Sequence, residues 1–189
     1  MELSWPSQLR ESAYEDFFSR LRKRGCRAIL DLSAGYDLVT YVSGKGFEVS
    51  SIDTKKDVLD AGRAHRTIAI AEPSDAFEAV LCLGTFDYLA RDVAPVLASE
   101  IERLLRPGGI VFLSFAPVWA QNGDAKGGAP KTVFDGHGNA YRRVSGHLDS
   151  VVVYQTREIE GLFRRFRIVS LVTQTNGTRR LLATKKEQP

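Results

Sequence analysis

Ala28-Ile29-Leu30-Asp31-Leu32-Ser33-Ala34-Gly35-Tyr36-Asp37, then Leu38 to Ser43, then Gly46-Phe47-Glu48-Val49-Ser50-Ser51-Ile52-Asp53, is the stretch from which the fold is read. Ala28 to Leu32 is a short apolar run with one carboxylate and predicts a strand. Ser33 to Asp37 is a turn, Leu38 to Ser43 suits a short helix, and Gly46 to Asp53 is a second strand ending in an acid. That layout suits a nucleoside. Gly35 lets the backbone approach a ligand closely, and the helix start offers free N–H groups. An acid about 20 residues on can accept both ribose hydroxyls, or it simply ends the strand or caps the next helix.

On either side, strands and helices alternate. Leu9 to Arg24 reads as an amphipathic helix with Leu9, Ala13, Phe17 and Leu21 on one stripe. Lys55 to His65 is a second candidate, with Val58, Leu59 and Ala61 as a thin apolar face, and Thr67 to Ala71 is a candidate third strand. Phe77 to Gly84 is nearly all apolar, as expected of a strand covered on both faces. Arg91 to Arg106 is the clearest helix, with Asp92 as its predicted cap. It stops at Pro107-Gly108-Gly109, before the buried strand Ile110 to Phe115. The pattern predicts an α/β fold, a Rossmann-like, doubly wound, mainly parallel sheet. One connection is short. Only Glu72 to Ala76 would return the chain from the third strand, and a parallel crossover usually takes at least about 10–12 residues. The third strand is therefore expected to be short or frayed and that sheet edge reduced.

The last third changes character. Pro117 to Lys131 is a loop rich in Gly, Pro and Ala, and residues 117–155 are expected to form an insertion that caps the site. Within it Val133-Phe134 and Val151 to Tyr154 are β-like. Thr156 is the predicted cap of a helix from Arg157 to Arg165. Arg167 to Gln174 and Arg179 to Thr184 then form an antiparallel hairpin through Asn176-Gly177.

At 189 residues the chain is expected to be a single domain, with residues 1–27 as its N-terminal helical part. A formal charge of +3 is no footprint for nucleic acid, which is disfavoured as a partner. Arg164, Arg165, Arg167, Arg179 and Arg180 are read as a solvated helix end and hairpin rim. Cys26 and Cys82 form no C-x-x-C pair, so no metal site or redox motif is indicated and a reducing compartment is the default. With no signal-like segment and no apolar run of spanning length, the expectation is a cytoplasmic protein without a membrane partner.

Ile29-Leu30-Asp31-Leu32-Ser33-Ala34-Gly35 resembles the first motif of the class I S-adenosylmethionine-dependent methyltransferases, and the resemblance runs from about Ile29 to Ala183. Phe47 to Asp53 is similar to their second strand with its ribose-binding acid. Phe77 to Gly84 and Leu104-Leu105-Arg106-Pro107-Gly108-Gly109-Ile110 to Ser114 look like the fourth strand, next helix and fifth strand. The Leu-Arg-Pro-Gly-Gly turn is common among the small-molecule enzymes of the class. The resemblance implies a closing hairpin and S-adenosyl-L-methionine as cofactor.

It implies roles for individual residues too. Asp31, Ser33, Ala34 and Gly35 would line the cofactor turn, Asp53 and Thr54 the ribose, Glu72 the adenine side, and Leu83 and Gly84 the end of the fourth strand. Asp87 and Tyr88 face the acceptor or serve as turn and packing residues. His137 and His147, in the insertion, are candidate bases or solvated loop residues. Trp119 shapes an acceptor pocket or anchors its loop. The family's turn is G-x-G-x-G, and here Ser33 and Asp37 stand at the outer glycine positions. Ser33 is expected to put a side chain on the cofactor's path. The function so implied is methyl transfer to a small-molecule acceptor. The alternative is a binding or regulatory protein on the same scaffold that has lost the cofactor.

Overall fold

The structure, a computed structural model, describes residues 12–33, 39–52, 58, 68–116, 152–174 and 177–187. In chain order the elements are α1 (Ser12–Lys23), β1 (Ala28–Asp31), α2 (Val39–Gly44), β2 (Glu48–Ser51) and β3 (Phe77–Leu83). A 3-10 turn (Phe86–Tyr88) then leads to α3 (Ala94–Leu104), β4 (Leu105–Phe115), α4 (Thr156–Leu162), β5 (Phe166–Thr173) and β6 (Arg179–Lys185). They build one six-stranded sheet of order β2-β1-β3-β4-β6-β5. The first four strands are parallel, and β6 enters antiparallel between β4 and β5. The expected α/β sheet with its closing hairpin is present.

Strand alternation sorts the core onto two faces. Ile29, Ala79, Leu81, Leu83, Ile110, Phe112 and Leu182 meet Tyr14, Phe17, Phe18 and Leu21 of α1. Leu30, Val80, Cys82, Val111, Leu113, Phe115, Leu181 and Ala183 meet α3 and α4. Burial on both sides explains why β3 and β4 read as continuous apolar runs.

The reduced edge is seen as well. Among the described residues β2 is the edge strand, and residues 68–70 form no strand. Ile68 and Ile70 are nonetheless buried in the α3 face. The backbone of Ile70 is satisfied by side chains of α3: its N–H donates to Glu100 Oε1 (2.9 Å), and its carbonyl accepts from Arg103 Nη2 (3.0 Å). Two side chains do locally what a strand ladder would have done.

Three local expectations are corrected. Asp92 does not cap α3; Val93 stands at the N-cap without a side-chain bond, and a proline fills the first turn, where its missing N–H costs nothing. Thr156 does not cap α4. Gln155 does, in a capping box with Glu158, whose carboxylate accepts the Gln155 N–H at 2.5 Å. Residues 152–154 form no strand; the Val152 N–H instead donates to the Asp87 carbonyl (2.7 Å). The Pro107-Gly108-Gly109 stop is real for the helix, yet β4 begins at Leu105 and carries those residues as a break in register between Leu105 and Ile110. A Cβ on Gly109 would lie 2.8 Å from the Arg106 carbonyl, so the close turn requires glycine there.

Candidate functional site

The C-terminal ends of β1, β3 and β4 meet where the strand order reverses, since β2 follows β1 outward on one side and β3 and β4 extend on the other. Ligands of open α/β sheets bind at such a switch point. β1 ends in the buried Asp31, whose Oδ1 accepts the Ser33 N–H at 3.0 Å. The Ser33 hydroxyl accepts the Leu83 N–H at 3.1 Å, and the Thr85 hydroxyl donates back to the Leu32 carbonyl. Two hydroxyls thus lace the end of β1 to the end of β3. The Ser33 hydroxyl, read from the sequence as a side chain on the cofactor's path, is engaged with the scaffold through the Leu83 N–H. Gly84 takes φ +72°, a conformation that glycine adopts without cost, and turns the chain over the mouth.

Beyond Gly84 the 3-10 turn presents Asp87. Its Oδ1 accepts the Ala116 N–H at 2.8 Å, at the end of β4. Burial pushes this carboxyl up to about 7; the Ala116 N–H and the charge of Arg179 pull the other way but do not prevail. A carboxyl so placed exchanges its proton near neutrality, which suits a general base. Tyr88 is half-buried and packs against the core on the α3 face.

Arg179, the first residue of β6, reaches the same place. It is 1% exposed, and its Nη2 donates to the Ala116 carbonyl at 3.0 Å, while Nε and Nη1 have no hydrogen-bond partner. Ala116 therefore gives its N–H to Asp87 and its C=O to Arg179. The reading of the arginine cluster as a solvated rim holds for Arg164, Arg165 and Arg167, which are exposed. It fails for Arg179 and Arg180, which are buried on opposite faces of the sheet. Arg180 lies over the Tyr14 ring at 4.6 Å. The missed signal was periodicity: Arg179 shares its parity with Leu181 and Ala183, and so the core face of β6.

Glu72 is not brought to the mouth. Ile70 before it is tied to the last turns of α3, and Asp75 after it accepts Lys185 Nζ (2.7 Å) and donates its N–H to the Arg103 carbonyl (2.9 Å), at the N-terminal ends of β3 and β4, the end of the sheet opposite the mouth. Ala34, Gly35, Asp53, Thr54, Trp119, His137 and His147 lie outside the described residues, as do Asp37 and most of the helix predicted at 55–65. Among the described residues no helix is long and apolar enough to cross a membrane, and no group of three or more His, Cys, Asp or Glu could hold a metal ion.

A mainly parallel, open α/β sheet with a mouth at its switch point and an antiparallel hairpin closing one side defines a Rossmann-like protein of one architecture. That architecture is the fold of the class I S-adenosylmethionine-dependent methyltransferases. An S-adenosylmethionine-dependent methyltransferase from Clostridium acetobutylicum matches with TM-score 0.61 at 12% identity, over 91% of this chain and 90% of the other. One from Methanosarcina mazei gives 0.56 at 12% identity, over 85% and 93%. The 1,6-didemethyltoxoflavin-N1-methyltransferase of Burkholderia thailandensis, with 1,6-didemethyltoxoflavin and S-adenosylhomocysteine bound, gives 0.54 at 18% identity, over 95% and 81%. No family model matches the chain, and no curated protein matches its sequence.

Proposed function

We propose that this chain transfers a methyl group from S-adenosyl-L-methionine to a small-molecule acceptor. What supports the reading is the extent of the likeness: nine-tenths of the chain follows the architecture of a methyltransferase that is itself covered to nine-tenths. The mouth fits the cofactor chemically. Two acids, Asp31 and Asp87, stand at the ends of β1 and β3 and would give the mouth the acidic character that a sulfonium cation favours. When bound, the cofactor supplies a methyl group that an acceptor nucleophile displaces in line.

The chain's own part is positioning, which can contribute several kcal/mol to such a reaction. In this reading Asp31 sets the turn that carries Ala34 and Gly35 along the methionine portion. Asp53 and Thr54, just past β2, take the ribose, and Leu83 and Gly84 flank the adenine. Asp87 accepts the acceptor's proton, and the insertion at 117–155 covers the acceptor. Glu72 has no role in it.

Titration calorimetry with S-adenosylhomocysteine tests the reading. Micromolar binding that is lost in Asp53→Ala is the expected result. No binding at millimolar ligand would leave a methyltransferase scaffold without its cofactor and sink the proposal.

A further inference from the structure

Arg179 presents an unusual account of donors. A guanidinium carries five N–H donors, and here one of them reaches an acceptor, the Ala116 carbonyl. Nε and Nη1 have none, although the side chain is 1% exposed. With one hydrogen of Nη2 engaged, a complete two-donor fork remains on the other side of the group, either Nε with Nη2 or Nη1 with Nη2. Such a fork matches the two oxygens of a carboxylate. Burying an unpaired arginine is costly, and a chain that retains one has a use for it.

The direction of the side chain identifies that use. It leaves β6, crosses the end of β4 at Ala116, and approaches Asp87 at the end of β3, so the guanidinium heads into the mouth rather than out to solvent. Asp87 compensates its charge only in part: the two groups interact through space, but Asp87 Oδ1 is held by the Ala116 N–H, and Nε and Nη1 of Arg179 make no hydrogen bond to it. Its proton affinity supports this, since burial leaves the carboxyl only partly ionised near neutral pH. The surroundings are apolar. Phe115, the β4 partner of Arg179, packs with Phe86 (5.5 Å) and Tyr154 (6.0 Å), and charge interactions are strengthened in such a setting.

We propose that Arg179 is the anchor for a carboxylate carried by the methyl acceptor, which makes the substrate a small organic acid bound with its reacting group toward Asp87. The assignment rests on the methyltransferase reading. A carboxylate is favoured over a phosphate because one fork supplies only two donors, and a dianion would face Asp87 as well.

The test uses the intact protein and thermal unfolding, with acetate and benzoate as probes and benzamide as the uncharged control. For the wild type, each carboxylate at ten times its dissociation constant raises Tm by roughly 3–5 °C and benzamide does not. Arg179→Met abolishes that response. Because it removes a buried unpaired charge, it also unfolds at a higher temperature than the ligand-free wild type. An Arg179→Met protein that melts lower, with an undiminished carboxylate response, would overturn the proposal and make Arg179 a structural prop for Ala116. The cofactor's own methionine carboxylate is the other source of this chemistry. Arg179→Met binding S-adenosylhomocysteine as well as the wild type supports the acceptor assignment. Weakened S-adenosylhomocysteine binding with unchanged binding of 5′-methylthioadenosine, which lacks the carboxylate, overturns it. A wild type that ignores S-adenosylhomocysteine but still answers to carboxylates through Arg179 refutes the enzyme reading and leaves the anion site standing.

Discussion

Replacing Ser33 by glycine restores the residue that the resemblance expects, and it should damage the protein. The Ser33 hydroxyl accepts the buried Leu83 N–H at 3.1 Å, so Ser33→Ala strips that amide of its partner. Leaving a buried donor unsatisfied costs about 1–3 kcal/mol. Ser33→Gly loses the same bond and adds about 0.4–1 kcal/mol through the greater freedom of the unfolded chain. Ser33 does not have a positive φ, so glycine gains nothing in return. The expected losses are about 2 kcal/mol for alanine and slightly more for glycine. For a chain of this length that is a fall in Tm of roughly 4–8 °C. Urea unfolding followed by circular dichroism should show a lower midpoint at unchanged slope. The calorimetric affinity for S-adenosylhomocysteine should not rise in Ser33→Gly, because the hydroxyl it removes is bound to Leu83. A Ser33→Ala protein within about 0.5 kcal/mol of the wild type would refute the lacing between β1 and β3.

Asp87 gives stability a pH dependence of definite sign. The folded carboxyl keeps its proton up to about 7, and the unfolded one to about 4, so the native state binds the extra proton between those values and stability falls as pH rises through that window. Asp87→Asn, which can still accept the Ala116 N–H, should be more stable than the wild type at pH 8 by about 2–4 kcal/mol, an advantage that shrinks by about 2–3 kcal/mol at pH 5 and vanishes only below the unfolded value of about 4. Denaturation midpoints at the two pH values decide this, and an equal difference at both would contradict the burial argument. Arg103→Ala removes the bonds to the Ile70 carbonyl (3.0 Å) and to both Glu100 oxygens (2.9 and 2.7 Å). Hydrogen exchange at the Ile70 amide should quicken about tenfold for each 1.4 kcal/mol lost, with β4 amides following only the global change. Equal protection in the variant would mean that burial of Ile68 and Ile70 alone holds this segment.

The missing strand shows what a sequence can settle by arithmetic. Glu72 to Ala76 is too short to return from a paired strand at the far edge, and 68–70 stays out of the sheet. The arithmetic could not show where the Ile70 amide and carbonyl would go instead. That depended on Glu100 and Arg103 arriving on α3 from 30 and 33 residues away.

Apolar runs, their period and the Pro-Gly-Gly and Asn-Gly punctuation are local quantities, and they sufficed for a mainly parallel sheet closed by a hairpin. The glycine-to-serine departure at position 33 was visible too, but its meaning was not, because the atom it bonds belongs to Leu83, 50 residues on. The same holds for Arg179. Its charge places it on the surface when the chain is read in one dimension, and its parity on β6 places it inside. Only packing decides between the two, since burial depends on which strand end, here that of β4 at Ala116, comes to lie beside it.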